Sequence, residues 1–440
     1  MLDGLAEFCT KALAEHDCPS VSIAVAERGE LVLQQAHSWA DVAARRPATP
    51  QTAYRLASVA KTLTATGACL AADAGLLELD APVPGRDPEP SPTIRQLLQH
   101  RGGFGAFYAF HYGAGESPID PARYLTRLRE PGSGFEYANL GYYLVGRALE
   151  AATGQSLGGY LRERLFEPLG MADSHLAAEY PGSAPVAQRY TADGRVYPVC
   201  STPHPGASDA WATAGDLALF AQRYRSLLRP ETVAAMHAGL PISEPLDYGL
   251  GWSVSRGAGP VVHSHGGGMG GVAAMLVAVP ERELSVAVLC NSTNKTARDA
   301  ILHHLLSELV PGCGPERYLV DTTQPARPME LPPGEWAGTI DTPEGEIPLR
   351  LRVLADRRIE AGLGGATATA AAAASPSWAL RASLPLQLPT ADARVAGPVL
   401  GLELRAEDGR LVGVARTYQD GEQGGWLGNF LTHRCELGPA

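Results

Sequence analysis

The sequence predicts an α+β protein: an antiparallel sheet flanked by helices and bearing a helical subdomain, followed by a small all-β domain. Three observations carry that expectation. Apolar strand patterns occur near the start and again around residues 248–290, with a helical, loop-rich stretch between them. One sheet is therefore built from both ends of a domain, around a helical insertion. A proline-rich run at 324–334 then interrupts the pattern. Beyond it come short alternating strands, the pattern of a β-barrel or sandwich. The expected division is 1–323, a linker at 324–334, and 335–440.

In order, residues 3–16 show helical spacing through Leu5, Phe8 and Leu13. Ser20 to Ala26 and Leu31 to Ala36 flank Glu27-Arg28-Gly29-Glu30, a β-hairpin with glycine in its turn. A helix follows from Ser58 to a stop at Ala74-Gly75, with Gly67 marking close packing against a neighbour. Thr93 to Leu98 reads as a short helix ending at Gly102-Gly103. Leu140 to Thr153, Ser156 to Leu165 and Asp216 to Leu228 have the 3.6-residue period. Strands are expected at Tyr248 to Ser255, Val272 to Val279 and Leu284 to Cys290, then a helix from Ala297 to Leu309. In the last domain strands are expected at 335–340, 347–353, 399–404 and 411–416. The Ala/Gly/Thr-rich run 364–377 reads as a loop.

A net charge of −11 without a basic run excludes nucleic acid as a partner. No stretch approaches the ~20 apolar residues of a membrane span, and the N-terminus has acids where a signal peptide carries cations. The expected setting is cytoplasmic, without membrane attachment. Seven scattered cysteines, without Cys-x-x-Cys spacing, read as buried free thiols. No cofactor or metal is called for.

Lysine occurs only as Lys11, Lys61 and Lys295. Arginine stays charged near neutral pH, whereas a desolvated lysine can lose its proton and act as a base. Ser58 and Lys61 lie three residues apart at the start of an apolar helix, which puts hydroxyl and amine on one face. Two further motifs follow downstream. Tyr137-Ala138-Asn139 precedes an apolar helix; a tyrosine near a lysine cation can shuttle a proton, and an asparagine can hold an amide oxygen. His263-Ser264-His265-Gly266-Gly267-Gly268-Met269-Gly270-Gly271 leads into a strand, and its glycines let backbone N–H groups approach a substrate. Taken singly, these are equally a surface helix pair, a helix N-cap and a glycine-rich turn.

As a set they resemble the serine hydrolase family of class C β-lactamases, penicillin-binding DD-peptidases, D-aminopeptidases and esterases. Trp39-Ala40-Asp41, Thr93 to His100 and Thr153 to Leu157 match familiar stretches of that family, in its order. So do Glu167-Pro168-Leu169-Gly170-Met171, Thr213 to Leu217 and Tyr248-Gly249-Leu250-Gly251-Trp252. The likeness spans roughly residues 5 to 310. It implies Ser58 as nucleophile, Lys61 as its base, Tyr137 as proton relay and Asn139 as a substrate-positioning residue. His265-Gly266-Gly267 stands where many members have Lys-Thr-Gly, with Gly268 and Ser58 supplying oxyanion N–H groups. His263 competes for the place of His265, which the glycine spacing favours.

A histidine in that motif is a weaker, pH-dependent cation than lysine, so penicillin hydrolysis is discounted as the main role. Trp211 and the aromatic run from Phe104 to Tyr112 are expected to border the cleft. The C-terminal domain resembles, more loosely, the lipocalin-like appendage of some D-aminopeptidases and of cyclases that release nonribosomal peptides. The implied activity is cleavage of an ester or amide of a small molecule or peptide through a Ser58 acyl-enzyme. The acyl group passes to water, or to an amine or alcohol in a transacylase or peptide cyclase, with an amine acceptor or carrier protein as partner. A non-catalytic binding protein is the alternative. Substrate identity and oligomeric state are left open.

Overall fold

The computed structural model describes residues 4–83, 90–113, 119–257, 259–319, 325–390, 399–418, 422 and 425–440. The chain forms two compact units. The first comprises 1–100, 111–116 and 141–320; the second takes 101–110 and 117–140 together with 321–440.

The first unit is built on a nine-stranded antiparallel sheet. From one edge its strands run Leu240–Ser243, Leu246–Tyr248, Ser253–Ser255, Val262–Met269, Val272–Val279, Leu284–Cys290, Ser20–Glu27, Glu30–Asp41 and Arg46–Pro47. The N-terminal hairpin thus pairs with the last strand of the late run, Val21 opposite Cys290, as the two-ended pattern requires. Gly29 makes its turn at φ 79°. Helices Leu5–Glu15 and Thr296–Leu309 cover one face, where Leu5, Cys9 and Leu13 meet Ile301, Leu302, Leu305 and Leu306 over Val21, Ile23, Val277 and Val286. Each fully buried Leu or Ile there contributes about 1.5–3 kcal/mol.

Helix Ala60–Asp73 is buried all round from Ala60 to Ala71, which a helix apolar on every side requires. Its three threonines stay satisfied through carbonyls: Thr62 Oγ1 donates to Val59, Thr64 to Gly206 and Thr66 to Thr62. Gly67 is the close approach expected: a Cβ there would lie 2.5 Å from Leu161 Cδ2. All seven cysteines are buried and unpaired.

The second unit holds a closed barrel of eight antiparallel strands, Gly334–Thr342, Gly345–Val353, Arg358–Leu363, Ala366–Ser375, Trp378–Leu384, Val399–Glu407, Arg410–Tyr418 and Phe430–Pro439. The last strand closes on the first, Ile340 opposite Cys435. Alternate residues such as Leu349, Leu351, Val353, Leu402 and Leu404 fill its interior.

Two expectations fail here. The 364–377 run is strand, not loop: Ala366–Ser375 pairs with strands on both sides, so backbone hydrogen bonds supply what its small side chains cannot. Tyr248–Ser255 is two strands, split at Gly251 (φ 80°), where a Cβ would lie 2.6 Å from Ala65 Cβ and 3.0 Å from Lys61 O. Within the stretch read as linker, Arg327 exchanges backbone hydrogen bonds with Ala374, and Met329 is buried in the barrel core. Gln324 lies outside the described residues.

Candidate functional site

Ser58 sits on a 3₁₀ turn, Ala57–Val59, that feeds helix Ala60–Asp73. From Thr52 to Ala71 every residue but Ser58 is buried, so the fold opens this hydroxyl alone out of a sealed stretch. Ala57, just before it, has φ 47°, the left-handed region that costs a residue with a Cβ about 1–2 kcal/mol. Packing holds that turn in place: Leu56 N donates to Ala210 O, and a Cβ on Gly267 would lie 2.1 Å from Leu56 O. Only glycine lets strand Val262–Met269 come so close to the serine turn.

Lys61 is fully buried, and its Nζ lies 3.2 Å from Ser58 Oγ and 3.1 Å from Ala207 O. The ring of Tyr142 stands 5.5 Å from the amine. Burial holds the Lys61 pKa well below the ordinary lysine value. Two buried histidines share these surroundings. His204 is pushed down to about 3, first by burial and then by Lys61. His265 is likewise pushed down to about 3 by burial and Lys61.

His265 is therefore a neutral imidazole, not the pH-dependent cation expected from sequence. Its Nδ1 lies 2.8 Å from the Gly266 carbonyl and must carry the proton; Nε2 then accepts from Tyr248 Oη at 2.9 Å. His263 lies apart, stacked on His237 at 3.9 Å and tilted against Trp252. Strand Val262–Met269 pairs with Ser253–Ser255 only through Val262, His263 and Ser264. From His265 onward that edge has no strand partner among the described residues, which leaves the backbone of Gly266, Gly267 and Gly268 beside the serine turn unoccupied by a strand.

Tyr137 and Asn139 belong to the second unit. Tyr137 is half-buried, ahead of helix Asn139–Thr153. Asn139 is buried; its Nδ2 donates to Phe107 O at 2.7 Å, while Oδ1 has no partner among the described residues. That amide keeps one acceptor in reserve. Of the aromatic run, Phe104, Phe107 and Phe110 are buried, and Phe107 packs edge-on to Tyr124.

Trp211 is not on an open wall. It is 6% exposed, its indole N–H donates to Ala177 O at 2.9 Å, and the Arg55 guanidinium stands 5.6 Å from its ring. Strand pairing with Arg55 and His175 makes it part of the support beneath the serine turn. Arg55 itself forms a buried ion pair with Asp209 and donates to Cys200 O.

Two residues were missed by sequence reasoning. A Cβ on Gly268 would lie 2.5 Å from Lys295 Cε and 2.7 Å from its Nζ, so the third lysine arches over that glycine. Its scarcity was the signal. Tyr248, whose hydroxyl meets His265 Nε2, stands out in the sequence only as part of a stretch.

Residues 5–310 match the Beta-lactamase family. The chain is similar to a D-aminopeptidase of Gluconobacter oxydans, 30% identical over 307 residues, which cover 62% of this chain and 56% of that protein. It thus spans little more than half the length of that relative. In fold it is similar to the crystal structure of SurE with D-Leu (TM-score 0.69, 24% identity, 94% of this chain and 97% of that one). It is also similar to the octameric penicillin-binding protein homologue from Pyrococcus abyssi (TM-score 0.62, 21% identity, 98% and 99%). No helix among the described residues is long and apolar enough to cross a membrane. With its antiparallel sheet, its helical flanks and a family match over 5–310, the chain belongs to the Beta-lactamase family.

Proposed function

We propose that the chain is an acyl-serine enzyme acting on amides or esters of D-amino acids. One observation carries this reading: a reachable Ser58 hydroxyl 3.2 Å from a fully buried amine whose pKa burial depresses. A neutral Lys61 takes the Ser58 proton as Oγ bonds to the carbonyl carbon. The N–H groups of Ser58 and Gly268 receive the oxyanion. Tyr137 passes the proton to the leaving nitrogen as the C–N bond breaks, and Asn139 positions the substrate amide. In the second half the acceptor, water, gives up a proton by the same route and releases the acid.

The D-configuration is the part of this reading that a relative named a D-aminopeptidase supports. The lowered His265 pKa supports the amide or ester part of the reading, because a neutral imidazole offers no cation for a free substrate carboxylate. A fluorophosphonate probe tests the chemistry: intact mass should rise by one adduct on the native chain and not on Ser58→Ala. D- and L-aminoacyl p-nitroanilides, with and without a competing amine, then test stereochemistry and acceptor. Equal turnover of the L-series removes the substrate assignment. An amide product in the presence of the amine replaces hydrolase with transacylase.

A further inference from the structure

We propose that the barrel is the mount of the second motif, with Arg416 and Glu136 as positioning residues for Tyr137. This rests on the role given to Tyr137 above. The chain of contacts begins at Glu136, the residue before Tyr137. One oxygen of Glu136 receives Arg416 Nη2 at 3.1 Å, and the other lies 3.3 Å from Arg129 Nη2. Arg416 stands on barrel strand Arg410–Tyr418, and its second arm pairs with Glu403 on the neighbouring strand. Glu403 in turn receives Arg381 Nε, 3.0 Å away, from the strand beyond. Three adjacent barrel strands therefore end, through their charges, on the carboxylate beside Tyr137.

The far side of the motif is tied to the same unit through backbone. Asn139 donates to Phe107 O, and Phe107 pairs with Leu431 on the last barrel strand. Thr432 Oγ1 donates to Ala106 O at 2.6 Å, and Phe110 N donates to Asn429 Oδ1 at 2.7 Å. Tyr137 is thus bracketed, one residue before and two after, by groups held on the barrel. Gly134 keeps the bracket passable, since a Cβ there would lie 2.3 Å from Arg129 Nη1. Arg416, Glu136 and Glu403 are each only 10–14% exposed in their side chains. At that burial a planar guanidinium bridging two carboxylates fixes both in direction as well as distance. Burial raises the Glu136 carboxyl pKa, and Arg416 and Arg129 pull it back. A misplacement of about 1 Å in a proton-transfer group costs on the order of 10²-fold in rate.

A double-mutant cycle between the barrel and Tyr137 tests this. Arg416→Met, and separately Glu136→Gln, are placed in the native and Tyr137→Phe backgrounds. Single-turnover acylation by a D-aminoacyl p-nitroanilide is followed with Tm. Glu136→Gln keeps the shape of the side chain and serves if Arg416→Met does not fold. The expected result is a 10- to 100-fold loss in the native background and less than threefold in Tyr137→Phe. An equal loss in both backgrounds, or none in the native one, overturns the proposal while leaving the acyl-serine reading standing. Full activity of Tyr137→Phe overturns both the relay role and the proposal built on it.

Discussion

The two units hold the side chains proposed to react by different means. In the first, position is a matter of volume. Ser58 is presented by a left-handed Ala57, a Gly267 with no room for a Cβ, and a helix buried all round. In the second, position is a matter of charge and backbone pairing: Glu136 on Arg416, Asn139 on Phe107. A nucleophile and its base must meet at one distance, and close packing is the stiffer device. Tyr137, the proposed relay, can hang from a network of ion pairs. The first unit should therefore fail on small changes of size, and the second on changes of charge.

Lys61→Met offers the largest expected effect. Loss of the proposed base should lower kcat/KM about 10²–10⁴-fold, yet Tm should not fall. The sign follows from linkage: burial depresses the Lys61 pKa. Between its folded and unfolded values the unfolded chain binds more protons, so native stability rises with pH across that window. Methionine removes that slope. Activity has the same sense, because only the neutral amine accepts a proton. The acid limb of the native kcat/KM profile should lie well below the ordinary lysine value of 10.5. A limb at the ordinary value would mean that packing does not tune the amine.

Next comes the buried ion pair beneath the serine turn. Asp209→Ala leaves the Arg55 guanidinium uncompensated at 1% exposure, at a cost of about 3–5 kcal/mol. Urea denaturation should show it as a lower midpoint. Gly267→Ala follows, with about 1–3 kcal/mol of overpacking against Leu56 O and loss of fluorophosphonate labelling at Ser58. If Gly267→Ala labelled at the native rate, volume would not be what holds the turn.

These effects also mark how far the sequence could be read. Periodicity carried the hairpin Ser20–Asp41, the strands Val272–Val279 and Leu284–Cys290 and the long helices, because each buries one face or all of it. Spacing alone put Ser58 and Lys61 together, since three residues is one helical turn. The split at Gly251 was hidden, because its cause is Lys61 O, 190 positions earlier. The strand Ala366–Ser375 was hidden because alanine carries no period and its neighbours do the pairing. The charge state of His265 was hidden as well, because it depends on burial and on Lys61, 204 positions earlier in the chain. Trp211 was read as a cleft residue because aromatics near a motif suggest one; its indole is spent on Ala177. The link from Glu136 to Arg416 crosses 280 positions, and no local pattern encodes it.

The smallest expected effect belongs to a first-unit side chain near the motifs, Lys295. Lys295 is exposed, its side chain makes no hydrogen bond or ion pair among the described residues, and its Nζ reaches over Gly268. Lys295→Met should therefore change stability by no more than about 0.5 kcal/mol. Its charge still lies beside the backbone proposed to receive the oxyanion, and an exposed charge acts through a screened field. The variant should lose a few-fold in kcat/KM at low salt, and the loss should shrink as ionic strength rises. A loss independent of salt would show that Lys295 acts by contact, and would move it to the side of the comparison where shape decides.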